Sequence, residues 1–352
     1  MFGRISKKIV IQLIIGVAIL LWLLQLANLG DIFAVFLHVN LLNLLVAAVL
    51  FVVSSAFVGF ALYVPLRHSN PTASIRKVVM ASFAGQLLSD VTPVRSGYFL
   101  TPVFLNNLAG ISLEQGMTGV LATGGINAFV KAVICLIGLG YFISFLPLQV
   151  AVINSLLVGV AILLVAGTLL LLLMWENRLS KLVAKLERMP LVGSRLHAFA
   201  DMFSNVQKEG RKIRRHLIVV AVLILVSLIV NAAALYLIFN GIWHSSLSIL
   251  DFFLMASFAS ALTYIPITIA GLGVQEAGYV LLLQLLLGLP LATIDPRLVA
   301  FALITRALFT GTDIIGIGPL LKAGLKRDSA IASKVKETQV PSNCKISNPK
   351  LC

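Results

Sequence analysis

Charge is scarce in this sequence. Asp, Glu, Lys and Arg together make up 11% of the chain, against about a quarter of an ordinary soluble domain, which excludes a globule wrapped in a solvated charged shell. Catalytic signatures are missing as well. There is no H-E-x-x-H, no G-x-S-x-G and no C-x-x-C, and the GLGVQE run at 271–276 lacks the last glycine of a dinucleotide-binding turn. His38, His68, His197, His216 and His244 are scattered without ligand spacing, so neither a metal nor another cofactor is expected. Cys135 falls inside an apolar run and Cys344 and Cys352 in the last stretch of chain, which leaves no disulfide framework. Asp90 and Asp313 lack the Gly-x-Gly-Asp setting of an intramembrane aspartyl protease. The chain is therefore not expected to be an enzyme.

What is there is apolar. Hydrophobic residues make up 59% of the sequence, and runs near 9–28, 41–64, 116–142, 148–174, 217–240 and 297–321 are each long enough to cross about 30 Å of hydrocarbon as helix. The net charge of +14 is sorted rather than spread. Of the 27 Lys and Arg, 23 fall before the first run, after the second, in 178–215 or beyond Leu321, while the stretches 29–40, 143–147, 241–251 and 288–296 hold none. The positive-inside rule then places both termini in the cytoplasm. Topology accounts for the basicity, so nucleic acid is not an expected partner. The basic loop 175–216 also suits anionic headgroups or a protein partner.

Two further apolar regions are interrupted at their middles. The first runs from Val78 to about Gly110 with TPVRSG at its centre, and the second from Asp251 to about Gly288 with IPITIAGLG. Their arms of about 13 to 15 residues reach only about 20 Å as helix, so re-entrant hairpins are the economical reading and kinked full spans the alternative. Backbone at bilayer depth is tolerated outside a helix only where protein buries it or a wet cavity receives it. Pro93, Gly97, Pro266, Gly271 and Gly273 are thus expected at hairpin tips. The two regions also share the pentapeptide MASFA, at Met80–Ala84 and Met255–Ala259, and the lone cations Lys131 and Arg306 keep the same offset of 175. Three spans separate the copies, so a duplication here is an inverted one, the architecture of secondary transporters.

Ionisable residues at bilayer depth cost about 3 kcal/mol each on insertion scales and need a partner or a pathway. Arg95, Lys131 and Arg306 are candidates to hold an anionic headgroup, with phosphate the obvious group. Glu276, Asp90 and Asp313 are candidates for ion pairing or for coupling to protons.

The stretch PITIAGLGVQEAGYVLLLQLLLG followed by LITRALFTGTDIIGIG resembles the lysylphosphatidylglycerol synthase transmembrane region, also described as a flippase-like domain. The resemblance rests on Pro266, Gly271, Leu272, Gly273, Val274, Glu276 and Arg306, with Pro93, Arg95 and Gly97 matching an earlier element. Tyr98 stands where the family usually has Glu, and GGIN at Gly124–Asn127 where it often has an Arg-Leu-x-Asp stretch. The resemblance implies a multi-pass protein of the cell membrane that moves or presents lipids. Longer members continue into an aminoacyl-transferase domain. About 30 residues follow Leu321 here, too few for such a domain, so lysyl transfer is not expected.

The expected fold is all-α and polytopic, with about six full spans and two oppositely oriented re-entrant hairpins. One transmembrane domain covers 1–321, with repeats near 78–142 and 251–321, and a flexible cytoplasmic tail covers 322–352. The expected function is translocation or presentation of an anionic phospholipid or lipid-linked intermediate. The alternatives are a membrane subunit that recruits a lipid-modifying or glycosyl-transferring enzyme, and an intramembrane enzyme.

Overall fold

The computed structural model describes residues 7–93, 95–145, 150–175, 204–264 and 267–322. Most of the basic loop, Pro266 and the tail beyond 322 lie outside them. The described residues are helical nearly throughout, and six helices are long and apolar enough to cross a membrane. Their outer faces are apolar too, with Ile218 76% exposed and Leu42 67%, a surface that water would penalise and lipid would not.

The first helix, α1 (Lys7–Leu26), leads into α2 (Leu29–His38) through Asn28, whose side chain accepts from the Gly30 N–H. The stretch 29–40 falls outside the six long apolar runs. Ten residues are too short to span, but the apolar run and the Asn28 cap still make a helix there. Asn40 then caps α3 (Leu41–Ser69), and its own backbone N–H donates to Gly241 O at 3.1 Å.

The first interrupted region follows as α4 (Ile75–Asp90), a break, a single 3-10 turn (Ser96–Leu100) and α5 (Thr101–Ala109), which Gly110 ends in the left-handed conformation. The return arm is shorter than expected, because Pro102 sits in the first turn of α5 and the chain arrives there wound as 3-10. Two long helices come next, α6 (Leu113–Phe145) and α7 (Val150–Trp175).

After a helical stretch over 204–212 the arrangement recurs. A long helix α8 (Leu217–Ile242) leads to α9 (Ile249–Leu262), a break, α10 (Val274–Leu286) and α11 (Pro296–Asp313). Ser248 and Asp251 cap α9 reciprocally, Ser248 Oγ accepting from Asp251 N and Asp251 Oδ2 from Ser248 N. Asp295 caps α11 and pairs with Arg297, whose guanidinium lies 3.5 Å from the centre of the Trp243 ring. Burial opposes the Asp295 charge, but the hydrogen bonds from Arg297 prevail and hold its carboxyl below the ordinary aspartate range.

The main core is aromatic. Phe239 lies 5.3 Å from Phe252 and 5.5 Å from Phe301, joining α8, α9 and α11. A second cluster, with Leu62, Val78, Phe104 and Ile111, seals the first interrupted region against α3 and α6. The most extensive helix contact joins α3 to α8. Within it Ser54 Oγ donates to Ser227 O and Ser227 Oγ donates to Ser54 O, both at 2.9 Å. Such i-to-j and j-to-i reciprocity is what a local two-fold relation produces.

Candidate functional site

Both interrupted regions break at their centres, and the two breaks touch. Pro93 and Ile269 lie side by side in an isolated antiparallel bridge. Among the described residues each break carries one non-glycine residue in the left-handed region, Arg95 (φ 55°) and Ala270 (φ 47°), and these two are also 175 positions apart. A left-handed L-residue costs about 1–2 kcal/mol, and such strain concentrates at functional sites. Gly271 and Gly273 supply the other positive φ values of the second break, 74° and 80°. At the first break the need is closeness, since a Cβ on Gly97 would collide with the backbone of Leu88 and Ser89.

Against the breaks lies a cavity of about 190 Å³. Arg95, Lys131 and Arg306, drawn from three separate parts of the sequence, all line it, and so does Glu276. The second break is closely knit. Arg306 NH1 donates to Ala270 O at 3.3 Å and to Gln275 Oε1 at 3.1 Å, and it stands 3.6 Å from Glu276 Oε1. Glu276 Oε2 accepts from Gly273 N at 2.7 Å, so this carboxylate caps α10 with the charge that its helix dipole favours.

The first break holds its backbone through neutral side chains, Thr92 Oγ1 accepting from Gly97 N at 2.7 Å and Ser89 Oγ donating to Arg95 O at 3.2 Å, and its charges are less closely paired. Arg95 NH2 reaches Asp90 Oδ1 at 3.5 Å, and its guanidinium lies 5.7 Å from the Phe309 ring centre. Asp90 does not line the cavity. Asp313 sits beside Asp90, also behind the lining, and accepts from Ser55 Oγ at 3.5 Å. The Oδ2 atoms of both aspartates and the Nε of Arg95 are buried with no hydrogen-bond partner among the described residues. Seven residues, two helical turns, separate Arg306 from Asp313, so α11 serves both breaks, the second through Arg306 and the first through Asp313.

The cavity also has a neutral polar lining that a search for ionisable residues passes over: Gln86, Tyr98, Asn231, Tyr264, Gln275 and Tyr279. A signal existed for Asn231, because Ser227 four residues before it puts two polar groups on one face of an otherwise apolar span. Asn127, which shares a helix face with Lys131, lines the cavity beside it. Among the described residues there is no cluster of His, Cys, Asp and Glu that would hold a metal ion.

Residues 9–312 match the lysylphosphatidylglycerol synthase transmembrane region. The chain belongs to that family. No curated protein matches it. As a member of the lysylphosphatidylglycerol synthase transmembrane-region family it is a multi-pass membrane protein of lipid-related kind, and its Glu276 and Arg306 face each other across the cavity wall.

Proposed function

We propose that this protein is a flippase-like carrier that moves or presents an anionic phospholipid, or a lipid-linked intermediate, across the cell membrane. The observation that supports this reading best is the convergence of Arg95, Lys131 and Arg306 on one cavity beside two touching helix breaks. Broken helices that meet near mid-bilayer offer backbone dipoles and buried cations to an anionic group, and a charge buried there requires a counter-ion.

On this reading the two interrupted regions are re-entrant hairpins that enter from opposite faces, both termini are cytoplasmic, and the halves exchange roles as the cavity opens to each side in turn. The chain carries lipid without modifying it. Its test is reconstitution of the purified protein into vesicles that hold a fluorescent phospholipid in both leaflets, with quencher added outside. Wild type is expected to expose the inner-leaflet pool, and Arg306→Gln to fall to the rate of protein-free vesicles. Equal rates in wild-type and protein-free vesicles would contradict the proposal.

A further inference from the structure

Asp90 and Asp313 meet behind the cavity lining. They come from different helices, α4 and α11, and their carboxyl groups are within hydrogen-bonding contact. Asp313 is 1% exposed and the Asp90 side chain 4%. Packing fixes the contact, because Gly316, three residues beyond Asp313, lies so close to α4 that a Cβ on it would collide with the backbone of Phe83 and Ala84. Each carboxyl has one oxygen served: Asp90 Oδ1 accepts from Arg95 NH2 and Asp313 Oδ1 from Ser55 Oγ, both at 3.5 Å. Each Oδ2 is buried with no donor among the described residues.

Two ionised carboxylates are acceptors only, so a contact between them needs a proton or a cation shared between them. Arg95 is the charged group against the pair, and Lys131 acts on Arg95 rather than on the aspartates. Helix α3 brings Ser55, and the charged residues at its end, Arg67 and His68, lie about three turns further on. Helices α5 and α8 and the 3-10 turn Ile314–Gly316 carry no charged residue. One positive charge therefore faces two negative ones. Asp90 is also the last residue of α4, the end at which the helix dipole disfavours a negative charge. One proton between the two Oδ2 atoms supplies the donor that both lack and leaves the aspartates and Arg95 neutral together. A metal ion would want more oxygen ligands than this pair offers.

The pair is connected to the cavity. Ser55 and Arg95 both line it, and each holds one of the aspartates. Arg95 is thus shared, and its Nε, without a partner among the described residues, leaves it a donor for a ligand. An anionic group in the cavity that draws on the guanidinium weakens its hold on Asp90, so the pair binds its proton more tightly. By linkage the proton strengthens the binding of the anion equally. We propose that Asp90 and Asp313 share one exchangeable proton, and that this proton travels with the anion in the cavity, which makes the protein a proton-coupled cotransporter. The coupling rests on the transport reading above; the proton site does not.

The proton is read by infrared spectroscopy of the purified protein at neutral pH. Wild type is expected to show a protonated-carboxyl band that shifts on transfer to deuterium oxide, and Asp90→Asn and Asp313→Asn each to lose it. The coupling is read in vesicles that hold fluorescent phosphatidylglycerol, with the membrane potential clamped at zero by potassium and valinomycin. A gradient of one pH unit is expected to shift the lipid ratio between the leaflets by about tenfold toward the alkaline side, the driving force of one proton per lipid. Asp313→Asn is expected to abolish that shift. No protonated-carboxyl band in wild type, or a band unchanged in both variants, overturns the proton site. A band indifferent to deuterium oxide overturns its exchange. Lipid that moves but ignores the pH gradient overturns the coupling and leaves the lipid reading standing. A lipid ratio that follows a sodium gradient instead gives the pair to a metal cation and overturns the proton. If no lipid moves at all, the lipid reading and the coupling fall together, and the band still decides the proton site.

Discussion

The two breaks occupy equivalent positions in the chain but are built differently. At the second, Arg306, Glu276, Gln275, Ala270 O and Gly273 N form a closed set of contacts between 2.7 and 3.6 Å. At the first, neutral side chains hold the backbone, Thr92 Oγ1 accepting from Gly97 N at 2.7 Å and Ser89 Oγ donating to Arg95 O at 3.2 Å, while the Arg95 guanidinium makes one long ion pair with Asp90 and polar atoms of Arg95, Asp90 and Tyr98 have no partner among the described residues. The cations at the shared offset differ too, Arg306 paired with Glu276 and Lys131 without an ion pair among the described residues. One break is thus fixed by its charges, and the other by neutral side chains.

The comparison breaks most readily at Glu276. Glu276→Gln strands the Arg306 charge and weakens the cap of α10, and is expected to destabilise the protein by about 3 kcal/mol, read as a lower melting temperature in detergent. Gly97→Ala pushes a methyl into the Leu88–Ser89 backbone and is expected to cost about 2 kcal/mol, measured the same way. If Gly97→Ala is silent, the contact of Gly97 with the Leu88–Ser89 backbone is looser than described. Asp90→Asn removes one long contact from a guanidinium that is 20% exposed and keeps its place over Phe309, so a loss of about 1 kcal/mol is expected. An Asp90→Asn effect as large as that of Glu276→Gln would erase the difference between the breaks. Lys131→Met removes an unpaired buried charge and is expected to shift stability by less than about 0.5 kcal/mol, or to raise it.

A smaller effect, from outside both breaks, calibrates the scale. The folded Asp295 carboxyl lies below its unfolded range, so its stabilising contribution is complete above the ordinary aspartate range and is lost as pH falls through the folded value. With Arg297 41% exposed, that contribution is about 0.5 kcal/mol after allowance for solvent screening. Asp295→Asn should remove this part of the acid sensitivity and leave the rest.

Length and hydropathy made the long helices legible, because a span of hydrocarbon demands about 20 apolar residues whatever the tertiary packing. The MASFA repeat and the offset shared by Lys131 and Arg306 pointed to two related halves, and both cations line one cavity. Pairing was not legible. Nothing in the sequence distinguishes Arg306, which meets Glu276 thirty residues earlier in the chain, from Lys131, which meets no carboxylate among the described residues, since the difference depends on which helices close around each. The contact of Pro93 with Ile269 was hidden for the same reason. Helix α2 is not legible because a ten-residue helix with seven apolar residues matches the pattern of a span too weakly to register, although Asn28 marks its start. Tyr264 and Tyr279 carry no signal in the sequence, because aromatics in apolar runs are ordinarily packing, and Tyr98 stands out only as the residue in place of the family's usual Glu.

The account's central claim is that the cavity beside the two breaks receives a lipid headgroup. An experimental density map of the protein in phosphatidylglycerol nanodiscs, at a resolution that shows side chains, tests it most directly. The account predicts phosphate density within hydrogen-bond reach of Lys131 and next to the Pro93–Ile269 contact. Lipid density confined to the outer, apolar faces, with Lys131 turned onto a carboxylate, would contradict it.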